Sequence, residues 1–183
     1  MIPSYVSGGI VDLENFSAKD FDLRTAVTCL SRINRFSGHT AYPYSVAQHS
    51  VVVSYLVPEW AAAPALLHDL AEAYVGDCPG PVKKHLPKFA ELENRISDVI
   101  YTAIGVENPE DTRRVVDNAD KWALRLEQIN LQGRSEFFEF EPKFTAIPEA
   151  RLDAALSILG EEMSPTLAYR TFMIRYWELL VTR

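Results

Sequence analysis

The chain has 183 residues, of which 48% are hydrophobic and 23% charged, a composition typical of one folded domain and not of a disordered chain. The formal net charge of -7 at pH 7 argues against general binding to nucleic-acid polymers, although a local basic pocket can still bind one small phosphorylated ligand. Two widely separated cysteines, no apolar run of membrane-spanning length and no signal-peptide pattern in MIPSYVSGGIVDL predict a cytoplasmic protein that does not enter a membrane.

The first part of the chain precedes any clear helical pattern. Residues 1–20 contain two adjacent glycines and a short apolar step, which predicts an irregular lead-in with one short strand. Apolar residues at helical spacing then begin near Asp22 and continue to Gly38, where glycine ends the helix or the turn after it. We therefore expect Arg35 near the C-terminal end of this first helix.

Residues 45–131 show the strongest helical pattern. Ser45 followed by Gln48 has the form of a capping box and opens a helix that continues to Pro58. Glycine and proline then separate three further apolar patterns. These predict helices at about Ala61–Val75, Phe89–Ile104 and Asn108–Leu131.

The C-terminal part is predicted to contain a loop over residues 132–147 and two helices in residues 148–183. Strand-type alternation does not persist anywhere, and no internal repeat or linker divides the chain. The sequence therefore predicts an all-α fold, with residues 1–183 forming a single helical bundle of about six or seven helices.

The adjacent pair His68-Asp69 is the most informative feature, because two metal-ligand residue types stand side by side within an apolar helical pattern. His49 and Asp120 lie in apolar surroundings on two other predicted helices, so three helices can bring four ligands together. Imidazole and carboxylate ligands without thiolate favour Mn, Fe, Co, Zn or Mg. Taken singly, His49 fits an ordinary buried histidine and Asp120 fits a helix cap or the partner of a basic residue.

Glu72 follows His68 by four residues and Asp69 by three. On a helix, its carboxylate therefore projects from nearly the same face, one turn along. This position suits a proton donor or acceptor beside a metal site. A solvated helix carboxylate is the alternative interpretation.

These residues together resemble a known family. His49 in SVAQHS, the doublet in LLHDLAEAYVGD and Asp120 in NADKWALRLE follow the order found in HD-domain metal-dependent phosphohydrolases, an all-helical superfamily. With SRINRF and GDCPGPVK, they most resemble the 5'-deoxynucleotidase-like branch and the related small phage dATP triphosphohydrolases. The resemblance implies a divalent metal ion held by His49, His68, Asp69 and Asp120.

The implied reaction is cleavage of the 5'-phosphate ester of 2'-deoxynucleotides, either monophosphates or triphosphates such as dATP. Glu72 and Asp77 match acidic residues of the family's active site, although Asp77 also fits a plain turn aspartate. Arg35 matches an arginine expected to bind phosphate oxygens, and its alternative is a helix-end arginine that interacts with the macrodipole. Phe36 stands where the 5'-deoxynucleotidases carry tryptophan, a bulky group that favours deoxyribose.

Two basic residues complete the predicted substrate-binding set. Lys83 follows a Pro-Gly-Pro turn directly after the catalytic helix, where it is well placed to bind phosphate. His39 in FSGHT is a candidate for the pocket lining, and a turn histidine is an equally good interpretation.

Other functions stay open at the level of sequence. A phosphodiesterase or (p)ppGpp hydrolase shares the superfamily, and a non-catalytic nucleotide-binding or assembly protein shares the fold. The intact set of acidic and histidine residues argues against the non-catalytic alternative. Family members of this size often form dimers or hexamers, and the aromatic residues Phe137, Phe138 and Phe140 are candidates for such an interface.

Overall fold

Helices form where apolar residues recur at helical spacing between capping residues. The computed structural model describes residues 2–3, 9–133 and 147–182. Its helices are α1 Leu23–Leu30, α2 Val46–Tyr55, α3 Ala62–Leu67, α4 Glu72–Val75, α5 Gly80–Lys83, α6 Pro87–Ile104, α7 Glu110–Gln132, α8 Glu149–Leu159 and α9 Pro165–Leu180. The prediction of an all-α fold is thereby confirmed.

The lead-in contains a small sheet in place of one strand. Strand β1, Ile2–Pro3, pairs antiparallel with β2, Ile10–Val11. Most of the predicted loop over residues 132–147 falls outside the described residues, and so do the three phenylalanines at 137, 138 and 140. Within the described parts of the chain, no helix combines the length and apolarity needed to cross a membrane.

Helix α2 lies at the centre of the bundle. All residues from Val46 to Ser54 are buried, including the polar residues Gln48, His49, Ser50 and Ser54. Ser45 caps the helix by accepting a hydrogen bond from the backbone N–H of Gln48 at 3.2 Å. The predicted capping box is only half formed, because the Gln48 side chain donates instead to the carbonyl oxygens of Ile158 and Glu161.

The helix predicted from Ala61 to Val75 is divided in two. Between α3 and α4, the N–H of Leu70 bonds to the carbonyl of Leu67 at 3.1 Å, and the N–H of Glu72 bonds to that of Asp69 at 3.0 Å. These i to i−3 hydrogen bonds tighten the backbone to about three residues per turn. Asp69 and Glu72 therefore still lie on one face, although the helix between them is not α-helical.

Arg35 is not at the end of a helix, contrary to the prediction. Helix α1 ends at Leu30, and the chain then pairs with the start of α2. The N–H of Arg35 bonds to the carbonyl of Tyr44 at 2.9 Å, and the N–H of Val46 bonds to that of Ile33 at 3.0 Å. These hydrogen bonds join residues that are distant in sequence and satisfy backbone groups that a longer helix would otherwise pair.

The turn after Arg35 has an unusual backbone. Phe36 and Ser37 have φ values of 55° and 52°, and Gly38 follows with φ of 79°. Left-handed conformations are disfavoured for residues with a Cβ atom. The turn therefore directs the chain back towards Tyr44 at a cost in backbone energy.

The two long helices agree with the sequence prediction. Helix α6 ends at Gly105 and α7 ends at Gly133, with φ of 77° and 64° respectively. Left-handed glycine is a common helix terminator. The four-residue helix α5 was not predicted and lies in the turn between α4 and α6.

Candidate metal centre

Three helical segments bring four predicted ligands to one point. His49 lies in the first turn of α2, His68 and Asp69 follow α3, and Asp120 lies in the middle of α7. Asp69 Oδ2 is 3.4 Å from His49 Nε2 and 3.2 Å from His68 Nε2. Asp120 Oδ1 is 3.1 Å from His49 Nε2. The ligand atoms of His49, His68 and Asp69 all lie within 4.8 Å of one another, so this group can hold a metal ion.

Both imidazole rings present the same nitrogen to the centre. His68 Nδ1 lies 2.7 Å from the carbonyl oxygen of Ala65, and a carbonyl can only accept, so Nδ1 carries the proton. His49 Nδ1 lies 2.5 Å from Glu127 Oε1. The Nε2 atoms of both rings are buried and have no hydrogen-bond partner among the described residues. This orientation suits metal ligation through Nε2.

Behind His49 lies a buried carboxylate that the sequence analysis did not single out. Glu127 is fully buried on α7, and its Oε2 accepts hydrogen bonds from Arg35 Nε at 3.2 Å and Nη2 at 3.0 Å. The third guanidinium nitrogen, Nη1, lies 3.9 Å from Asp69 Oδ2. Glu127 therefore joins the arginine to the histidine, and the arginine also faces a candidate ligand.

Charges in the centre shift the protonation equilibria of its members. Burial and the Arg35 charge lower the pKa of His49, but the carboxylates of Glu127 and Asp120 outweigh them and raise it to about 9. Burial raises the pKa of Asp69, yet the neighbouring His68 and His49 hold it well below its usual range. Anionic oxygens therefore face imidazoles that readily bind a cation, either a proton or a metal ion.

Glu72 and Asp77 are carboxyl groups of a different kind. Glu72 is buried, and its Oε2 has no hydrogen-bond partner among the described residues. Burial, together with the nearby charges of Asp69 and Asp77, raises the pKa of Glu72 well above its usual range. Burial also raises the pKa of Asp77, against the effect of Arg35. Both carboxyl groups can therefore stay protonated at pH values at which Asp69 is ionised.

A cavity of about 300 Å³ between α6 and α7 opens onto His68, Asp69 and Asp120. Its volume is at the lower end of the range for small-molecule sites. Lys83 lines this cavity and forms an ion pair with Glu93, which lines it too. A small polar ligand can therefore reach the centre from this side.

Comparison with known proteins shows the family to which the chain belongs. No protein-family model matches it. It is 34% identical over 166 residues to the uncharacterized protein YfdR of Escherichia coli strain K12, covering 91% of this chain and 88% of that protein. The chain belongs to the YfdR family. An uncharacterized protein of Rhodobacter capsulatus is 32% identical over 144 residues, with 72% of this chain and 73% of the relative covered.

The residues of this YfdR-family chain that were predicted to bind substrate do not all lie in the cavity wall. Lys83 lies in the cavity wall, but the described residues Arg35, Phe36 and His39 are not part of that wall. Phe36 is half-buried, and the Arg35 guanidinium carbon lies 5.5 Å from the centroid of its ring. Arg35 and Phe36 therefore approach the centre from the side of Glu127.

His39 lies away from the predicted ligands. Its side chain is exposed, and its carbonyl oxygen accepts a hydrogen bond from Gln132 Nε2 at 2.9 Å. Gln132 is twelve residues beyond Asp120 on α7, which corresponds to about 18 Å along the helix axis. This position favours the interpretation of His39 as a turn histidine in the YfdR-family fold.

Glu127 could have been found from its spacing. It follows Asp120 by seven residues on the same helix, and residues seven apart share a helix face. A buried-facing carboxylate two turns from a candidate ligand is a natural partner for a ligating histidine. The signal was present in NADKWALRLE, but α7 carries many charged residues, and most of them are solvated.

Proposed function

We propose that this chain is an HD-domain phosphohydrolase that cleaves the 5'-phosphate ester of 2'-deoxynucleotides. The observation that carries the proposal is the meeting of His49, the His68-Asp69 pair and Asp120 from three helical segments. The Nε2 atoms of both imidazole rings face the carboxylates there and make no hydrogen bond to the described residues. The HD-domain phosphohydrolases share this order of residues. The acidic character of the whole chain fits a small substrate better than a nucleic-acid polymer.

The proposed cofactor is one divalent metal ion, with Mn, Fe, Co, Zn or Mg as candidates. His49, His68, Asp69 and Asp120 would hold it. When bound, such an ion polarises a phosphoryl oxygen and lowers the pKa of water. The protein residues then orient the phosphate and transfer protons.

The hydrolysis needs one proton acceptor and one proton donor. The oxygen of water forms a bond to phosphorus, the bond between phosphorus and O5' breaks, and the leaving O5' takes up a proton. Glu72 is the proposed proton-transfer group, because its raised pKa brings its protonation equilibrium closer to neutral pH. Asp77 is the proposed second carboxyl group, which orients water or assists the leaving group.

Arg35 and Phe36 are the proposed substrate contacts on the second side of the centre. Arg35 uses Nε and Nη2 to bind Glu127, so Nη1 is the nitrogen that remains nearest to Asp69. A guanidinium in this position offsets negative charge on a phosphoryl group. Phe36 is adjacent to it and would crowd a ribose 2'-hydroxyl. Lys83 supplies a further positive charge in the cavity wall, although Glu93 already pairs with it.

A product-release screen tests the proposal. Protein loaded with each candidate metal is incubated with every deoxy- and ribonucleotide mono- and triphosphate, and phosphate and triphosphate are measured separately. We expect turnover of deoxynucleotides that disappears in His68→Ala. Phe36→Ala should reduce the difference in turnover rate between deoxynucleotides and ribonucleotides.

Two controls make the result decisive. Glu72→Gln should retain the metal and lose turnover, which separates proton transfer from metal binding. Glu59→Gln removes a carboxylate that pairs with Arg151 at the other end of α2 and should retain both. Turnover of only a phosphodiester, or no turnover with any candidate metal, would reject the proposed reaction.

A further inference from the structure

Tyr101 joins helix α6 to the segment that carries His68 and Asp69. It lies in the last turn of α6, and its hydroxyl donates a hydrogen bond to the carbonyl oxygen of Pro64 in α3 at 2.8 Å. Only 6% of the residue is exposed. Burial and the nearby charge of Asp69 raise the pKa of Tyr101, so the hydroxyl keeps its proton and acts as a donor. This bond therefore links two helices and is shielded from water.

Pro64 stands directly before the residue that orients His68. The carbonyl oxygen of Ala65 lies 2.7 Å from His68 Nδ1 and accepts its proton. A carbonyl oxygen has two lone pairs and can accept a hydrogen bond from a side chain even within a helix. Tyr101 and His68 thus bind the oxygens of two adjacent peptide groups in α3.

The ring of His68 depends on α3 for its orientation. His49 is oriented by the side chain of Glu127, whereas His68 is oriented by a backbone oxygen, which moves with its helix. With Nδ1 bound to that oxygen, His68 Nε2 lies 3.2 Å from Asp69 Oδ2. A shift of this part of α3 would therefore turn the imidazole and move Nε2 away from the other candidate ligands.

Packing of α6 gives the link a firm base. Ile96 and Ile100 lie just before Tyr101 on α6, with exposed fractions of 0% and 1%, and all three residues belong to the hydrophobic core. The hydroxyl therefore extends from a part of α6 that is anchored in the bundle. Tyr101 also lines the cavity that opens onto the candidate metal centre. The wall of the cavity and the ligand segment are thus joined at this residue.

We propose that Tyr101 is a positioning residue of the metal centre, which holds α3 so that His68 Nε2 stays within the ligand group. This role rests on the metal centre of the proposed function, but not on the proposed reaction or substrate. Second partners behind a ligating histidine commonly tune metal affinity. Tyr101 acts one step further away, through the peptide group next to the one that binds His68.

Tyr101→Phe tests the role, because phenylalanine keeps the ring and removes only the hydroxyl. Metal-free protein is titrated with cobalt(II), and both the affinity and the visible absorption spectrum are measured. The spectrum of cobalt(II) depends on the number and arrangement of its ligands. We expect the affinity to fall by about 3- to 10-fold, less than the 10- to 100-fold effect of losing a direct partner of a ligating histidine. The absorption spectrum should change as well.

Tyr42→Phe is the matched control, because the Tyr42 hydroxyl also donates to a main-chain carbonyl, that of Leu159, at 2.9 Å. Neither residue is a candidate ligand. Both variants should lower the melting temperature, but only Tyr101→Phe should change the affinity and the spectrum.

The outcomes separate the positioning role from the metal centre itself. If Tyr101→Phe binds cobalt with the affinity and spectrum of the wild type, the role is overturned. Equal changes in Tyr101→Phe and Tyr42→Phe would overturn it too, because loss of stability would then explain both. A wild type that binds no cobalt would reject the metal centre together with this role.

Discussion

Glu127 and His49 are joined by a contact of 2.5 Å between Oε1 and Nδ1, and both side chains are fully buried. The carboxylate fixes the orientation of the imidazole ring and directs Nε2 towards Asp69 and Asp120. Hydrogen bonds from Arg35 hold the same carboxylate in place. The geometry of the candidate ligand thus depends on a residue that is not itself a ligand.

Glu127→Gln should weaken metal binding by about 10- to 100-fold, the usual effect of removing a partner behind a ligating histidine. Glutamine is close in size to glutamate but leaves the Arg35 charge without its buried counterion. Isothermal titration with the metal ion that supports turnover measures the change. Glu59→Gln, which removes another carboxylate paired with an arginine, should bind the metal as the wild type does. Equal affinities in Glu127→Gln and the wild type would contradict the prediction.

Metal affinity should increase with pH across the neutral range. Burial and Arg35 lower the pKa of His49, but Glu127 and Asp120 raise it to about 9, so the metal-free ring carries an extra proton at neutral pH. That proton must leave before Nε2 can bind a metal ion, and the requirement disappears above about pH 9.

Proton release provides the measurement for this prediction. Titrations at one neutral pH in buffers of different ionisation enthalpy should give apparent binding enthalpies that differ in proportion to the protons released. The difference should become small at a pH above the pKa of His49. An affinity that stays constant through the neutral range would show that His49 is already neutral.

Glu72→Gln should stabilise the metal-free protein at neutral and alkaline pH. Burial and the charges of Asp69 and Asp77 raise the pKa of Glu72 in the folded protein. Its contribution to stability is therefore fully present below the pKa of an unfolded glutamate and is lost as the pH rises through the folded value. Glutamine does not titrate, so the variant avoids this loss.

Thermal unfolding of both proteins over a pH series measures the effect. The melting temperature of Glu72→Gln should exceed that of the wild type by an amount that grows with pH. Glu91→Gln, at an exposed position on α6, is the control and should show no such growth. A gain in stability accompanied by loss of turnover is typical of a residue whose placement serves function.

Ser37→Gly should increase the free energy of unfolding by about 0.5 kcal/mol. Ser37 has φ of 52°, and this left-handed conformation costs a residue with a Cβ atom roughly 1 kcal/mol, while the greater freedom of glycine in the unfolded chain offsets part of the gain. Denaturant titration measures the change. Ser37→Ala keeps the Cβ atom and should show no gain, so an equal increase in both variants would contradict the explanation.

The sequence predicted most helices because their signals are local. Ser45 caps α2 as expected, and Gly105 ends α6 with positive φ. The His68-Asp69 pair stood out because charged residues interrupt an apolar pattern. Helices α2 and α7, which carry His49 and Asp120, meet this pair through tertiary packing, which helical spacing alone does not specify.

The residues that were misplaced depend on contacts between distant parts of the chain. The sequence pattern predicted Arg35 at the end of a helix, but its backbone N–H bonds to the carbonyl of Tyr44. A backbone hydrogen bond of this kind leaves no periodic pattern of apolar residues in the sequence. Gln48 was assigned to a capping box, but its side chain binds carbonyl groups at the end of α8. Glu127 was overlooked because burial, and not residue type, distinguishes it from the other carboxylates of α7.

The pairing of Arg35 with Tyr44 and of Val46 with Ile33 has a consequence for how the site tolerates changes in chain length. The turn between Arg35 and Tyr44 lies outside the paired residues, so insertions there can lengthen the tip without altering the distance from Arg35 to His49. An insertion between Tyr44 and His49 would rotate the histidine out of register with the arginine. Homologous proteins should therefore differ in length within the turn between Arg35 and Tyr44. The separation of five residues between Tyr44 and His49 should stay constant.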